Sequence, residues 1–214
     1  MTASLATIHA LALLTCFALL GTSRIGACIR WLSVQGILIS VLPVVFHDDG
    51  LALRLVLLAG ANIALKGVFF PLVLLHLRAR TNYHREVEPF VGFVASILFG
   101  VVALAISLGL ARELHPALSR APFVMLEAAI FLVAIGLFLI VSRRNALMQV
   151  LGYLVIENGI FVFAVITVVE TPLLVELGIL LDAFVAVFVM GIAVFHITRE
   201  FGTADVDQLT TLKG

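Results

Sequence analysis

Charge is scarce in this chain. Only 12% of its 214 residues are Asp, Glu, Lys or Arg, about half the share typical of a soluble domain. The 13 basic and 13 acidic residues cancel to zero net charge, which leaves no electrostatic case for a nucleic-acid or acidic-substrate partner. Cysteine is as sparse: Cys16 and Cys28 stand alone and read as neither disulfide, metal ligand nor nucleophile. The six histidines (His9, His47, His76, His84, His115, His196) form no ligand pair at metal spacing. There is no Gly-x-Gly-x-x-Gly stretch, no Walker loop and no cysteine cluster, so no nucleotide, flavin or iron–sulfur cofactor is expected. No Lys or Arg precedes Arg24. The first apolar stretch therefore lacks the basic start of a secretory signal and is expected to persist as a helix. A strong internal repeat is also missing, which counts against a transporter built from two inverted halves.

What is present is apolar surface. The chain is 63% hydrophobic, with a mean hydropathy of +1.23. A helix crossing a bilayer needs about 20 apolar residues, and polar breaks divide the sequence into seven such runs. They cover residues 5–21, 31–46 (or from 25), 51–75, 89–111, 122–141, 147–169 and 172–197. The expected fold is an all-α polytopic bundle of about seven helices. Pro89, Pro122 and Pro172 each open a run, where a missing N–H costs little. Trp31, Tyr83 and Phe90 near run ends fit an aromatic belt. Nine basic residues fall on one side: Arg24, Arg30, Arg78, Arg80, Arg85, Arg143, Arg144, Arg199 and Lys213. Arg54, Arg112 and Arg120 fall on the other. The positive-inside rule then predicts an N-terminus outside and a C-terminus in the cytoplasm. The organisation reads as a four-helix region at 1–120, a three-helix region at 121–199 and a short tail at 200–214.

Three ionisable residues sit deep in apolar runs: Lys66, Glu157 and Asp182. A charge at the bilayer centre costs roughly 2.5–3.5 kcal/mol on insertion scales, and such residues commonly mark ion and proton pathways. Glu157 reads as a proton-exchanging carboxylate, because apolar surroundings favour its neutral form; the alternative is a structural hydrogen bond to a neighbouring helix. Asp182 has the same two readings. Lys66 is either a relay or switch cation paired with a carboxylate, or a lysine snorkelling to the nearer face. Pro71, five residues on, is placed to free a carbonyl near it. Glu127 and Glu176 lie about one turn inside their runs, where a helix N-terminus favours negative charge; of the two, Glu127 alone is a candidate, a weak one, for the proton path. His76 and His196 read as interfacial, and Arg143-Arg144 as a topology signal.

The stretch from about Pro122 to Arg199 resembles the K subunit of bacterial respiratory complex I. The resemblance is carried by Arg143-Arg144-Asn145, by Gly152 to Asn158 around Glu157, and by Leu180-Leu181-Asp182. It departs where Asp182 replaces the usual Glu, where Asn158 follows Glu157 directly, and in some 120 preceding residues. The longer layout is similar to component E of hydrogenase-4, through Leu65-Lys66-Gly67 and the stretch Leu154 to Gly159. The resemblance implies a non-redox subunit, without catalysis of its own, in a bacterial or archaeal cell membrane. Its partners would be antiporter-like and other membrane subunits, with a cytoplasmic nickel–iron hydrogenase and iron–sulfur arm reached indirectly. Glu157, Asp182 and Lys66 would then serve a proton path. Two rivals stay open: a subunit of a multi-subunit cation/proton antiporter, and a stand-alone transporter or scaffold.

Overall fold

The computed structural model describes residues 2–46, 53–80, 90–118, 121–143 and 146–167. The expected seventh run, residues 172–197, lies outside them, and with it Asp182, Glu176 and His196. The described residues form helices and no strand longer than a single bridging residue. In chain order these are α1 (Thr2–Gly21), α2 (Ile25–Ser40), α3 (Leu42–Phe46), α4 (Leu53–Asn62), a π-helical segment (Ile63–Phe69), α5 (Phe70–Arg80), α6 (Phe93–Leu114), α7 (Phe123–Ser142) and α8 (Ala146–Thr167). Among the described residues, six stretches are long and apolar enough to cross a membrane. The protein is an integral multi-pass membrane protein. The second run starts at Ile25, the earlier of its two expected starts, and bends at Val41 before the short α3.

Packing follows where the small residues lie. Without a hydrophobic drive between helices in lipid, close approach depends on small side chains. On α7 and α8, Gly136 and Gly152 face each other so tightly that a Cβ on Gly136 would sit 2.6 Å from the Gly152 carbonyl oxygen. A Cβ on Gly159 would meet the Ala129 carbonyl oxygen at 2.9 Å. These contacts fix an antiparallel register. Helix α6 buries a stripe of Ser96, Gly100, Ala103, Ser107 and Ala111 towards α1 and α7. Its bulky residues point outward, Val94 and Leu98 among them. Helix α2 runs through the middle, touching α1, α8, α5 and the π segment.

The π segment is the irregular element. In α-helical spacing the Gly67 carbonyl would accept from residue 71, but residue 71 is Pro71, with no N–H to give. Ser33 Oγ of α2 donates to that carbonyl at 2.7 Å. The neighbouring contacts are equally close: a Cβ on Gly36 would lie 2.9 Å from Lys66 Cβ, and one on Gly67 would lie 2.7 Å from Ile37. Glycine at both positions lets the wide turn press against α2.

Candidate functional site: a buried ion pair and its amide chain

Lys66, on the π segment, does not snorkel. It is buried, and its Nζ lies 2.5 Å from Glu157 Oε1 on α8. Both partners are shielded from solvent, where an ion pair must recover its desolvation through good geometry and further hydrogen bonds. Those further bonds exist on the lysine side. Lys66 donates to Asn158 Oδ1 at 3.4 Å, and its ammonium stands 4.7 Å from the centre of the Phe161 ring, within cation–π range.

From Asn158 a hydrogen-bonded chain runs away from the pair. Asn158 Nδ2 donates to Gln35 Oε1 at 3.2 Å. Gln35 Nε2 donates to Thr15 Oγ1 at 2.9 Å and to Cys16 Sγ at 3.4 Å. Thr15 Oγ1 donates to the Ala12 carbonyl at 2.7 Å. Four elements thus meet in one buried network: the π segment, α8, α2 and α1. Every donor in it points from Lys66 towards α1, so the carbonyl ends of both amides face the ammonium.

On the other side of the pair, Leu32, Gly36, Phe70 and Leu154 join Lys66, Glu157 and Asn158 around a small cavity that has room for about one water molecule. Among the described residues, Glu157 Oε2 has no hydrogen-bond partner. An orphaned carboxylate oxygen beside a water-sized cavity is a fitting seat for a water or a proton.

A second buried pair lies nearer the start of α1 and α7. Glu127, in the opening turns of α7, is 2% exposed, and its Oε2 is paired with His9 Nε2 on α1. Two registers agree on its position. His9 precedes Thr15 by six residues, about 9 Å of α-helix. The glycine contacts of α7 and α8 place Glu157 opposite residue 133 or so, again about six residues, or 9 Å, from Glu127.

A fourth buried charge, Arg143, closes α7. It is fully buried, donates to the Leu20 carbonyl at 3.0 Å and lies against the Phe93 ring. Burial pulls its pKa below the ordinary guanidinium value. Its contacts tie the end of α7 to the end of α1 and the start of α6. His76 lies near the C-terminal end of α5. Among the described residues, no three His, Cys, Asp or Glu side chains group as a metal site.

Sequence reasoning found Lys66 and Glu157 because charge stands out in an apolar run. It missed Gln35, Thr15 and His9. The available signal was the pairing of Gln35 with Gly36 in an otherwise apolar second run, a polar side chain beside a site of close helix approach.

The comparisons agree with this architecture. Residues 124–214 match the family model for NADH-ubiquinone/plastoquinone oxidoreductase chain 4L. The uncharacterized protein Rv0085 of Mycobacterium tuberculosis is 31% identical over 193 residues, 87% of this chain and 86% of that one. Hydrogenase-4 component E of Escherichia coli is 39% identical over 118 residues, 55% of this chain and 51% of that protein. That alignment spans about half of component E's length. No solved structure matches the chain. With a 4L-like C-terminal part, a full-length relative and a shared 118-residue stretch, the chain belongs to the hydrogenase-4 component E family of membrane proteins.

Proposed function

We propose that the protein is a non-redox membrane subunit of a complex I-like hydrogenase or related oxidoreductase complex, in which the Lys66–Glu157 pair takes up and releases protons. The relatives are described as a component and a chain of larger assemblies, which supports a subunit role. Antiporter-like membrane subunits beside it, and a cytoplasmic nickel–iron arm further off, are the partners this reading calls for. A cytoplasmic C-terminus follows from the basic residues' distribution. Asp182 would continue the path, and His9–Glu127 would form a second proton-exchanging pair.

One observation carries the reading: an ammonium and a carboxylate in contact inside an apolar bundle. Moving one proton from the ammonium to the carboxylate leaves both groups neutral, so the pair can hold or pass a proton without stranding a lone buried charge. The same geometry favours protons over sodium. A hard cation needs several oxygen ligands, and the oxygens here lie in the field of Lys66. Charge movement in partner subunits would bias protonation of the pair through linkage.

The test is Glu157→Gln in the assembled complex. Glutamine keeps the size and hydrogen-bonding reach, and its amide oxygen can still accept from Lys66. The expected outcome is a complex of normal abundance that translocates fewer protons per electron, measured in energised membrane vesicles. An unchanged proton-to-electron ratio would remove Glu157 from the path.

A further inference from the structure

The chain Asn158–Gln35–Thr15 joins the site in which we place proton exchange to α1, the helix that carries the second buried pair. We propose that this chain is a proton barrier, and that Asn158 and Gln35 together are the positioning residues that keep it closed. The inference rests on the proton reading of Lys66–Glu157.

The argument is chemical. A proton wire needs links that accept a proton on one side and release one on the other, as water, carboxylates and imidazoles do. A carboxamide carries its acceptor and donor on different atoms and does not ionise in the physiological range. Passing a proton through it requires either N–H loss or the imidic tautomer. Two carboxamides in series, Asn158 and Gln35, stand between Lys66 and Thr15. Both are buried, with Gln35 fully so and Asn158 2% exposed. Their hydrogen bonds line the inner edge of the site, and the small cavity at the pair, which Asn158 and Gly36 also border, lies against Leu32, Phe70 and Leu154.

Position gives the barrier a purpose. Leu32 precedes Gln35 on α2, Leu154 precedes Glu157 on α8, and Phe70 follows Lys66. All three lie one turn towards the same face, where α2 and α8 begin and α5 ends. His9 and Glu127 lie the other way, near the starts of α1 and α7. A coupled device in which both pairs exchange protons must prevent idle passage between them. The amide chain supplies the polar contacts needed to bury Lys66 without supplying a route.

The test converts the barrier into a relay. Gln35→Glu/Asn158→Asp replaces both amides with groups that take and give a proton, at nearly unchanged size. Passive proton leak is measured with a pH-sensitive dye in vesicles holding the assembled complex, with no electron donor. The expected result is a leak about tenfold above wild type in Gln35→Glu/Asn158→Asp, none in either single variant, where one amide remains, and wild-type tightness again in Gln35→Glu/Asn158→Asp/Glu157→Gln. Should Gln35→Glu/Asn158→Asp fail to assemble, Gln35→His/Asn158→Asp reads the same quantity with the same expectation. Tight vesicles in the assembled variant would overturn the barrier, as would a leak that persists without Glu157. The proton reading itself is judged separately, by coupled translocation in Glu157→Gln, so the two can fail independently.

Discussion

Helices α7 and α8 and the third span (α4, the π segment and α5) are built on opposite plans. The first pair is locked by backbone approach at Gly136, Gly152 and Gly159, and more than half of each spanning window is buried. The third span buries 28% of its window and turns Phe69, Leu72 and Val68 outward. Yet the site needs both. The rigid pair holds Glu157 and Asn158 at fixed depth; the wide turn swings Lys66 inward to meet them. Precision comes from one region and reach from the other, and the ion pair is where they are tied.

The largest effect should come from cutting that tie. Lys66→Met leaves a buried carboxylate without its cation and is expected to cost about 3–5 kcal/mol, seen as a lowered melting temperature of the purified protein. Lys66→Met/Glu157→Leu, which removes both charges, should recover most of the loss. Equal destabilisation in single and double variants would mean that the regions are not joined there. Next comes the locked pair. Gly136→Val drives a side chain into the Gly152 backbone and should cost about 1–3 kcal/mol, whereas Gly60→Ala on α4, where nothing lies within 4 Å, should gain up to about 1 kcal/mol of helix preference. Similar stabilities for these two variants would erase the contrast. The smallest effect is Ser33→Ala, which leaves the Gly67 carbonyl without its inter-helix donor. About 0.6 kcal/mol is typical of such bonds in membranes, readable as a small drop in melting temperature with assembly intact.

The sequence makes the spans legible because hydropathy is a local property, and five of the six described spans fall within a few residues of their expected positions. Lys66 and Glu157 are legible for the same reason in reverse. Their contact is not, since nothing local states that residue 66 faces residue 157. Gln35 and Thr15 escape because uncharged polar residues barely dent an apolar run. Glu127 is like Lys66 and Glu157 in this: its place near a helix start is a local property, but its partner His9, 118 positions away, is not. The π segment escapes because i+4 and i+5 bonding leave the same composition behind; Gly67 and Pro71 beside Lys66 are its only local trace.

That wide turn also sets how the third span tolerates length change. A π segment holds more residues per turn than an α-helix, so it stores surplus chain. Removing one residue anywhere in Ile63–Phe69 would let the stretch relax towards ordinary α-helix, while one residue cut from α7 would turn half of a glycine seam by about 100°. The region holding Lys66 is therefore the one place in the described helices where a codon could be lost without rotating the rest of its span out of phase.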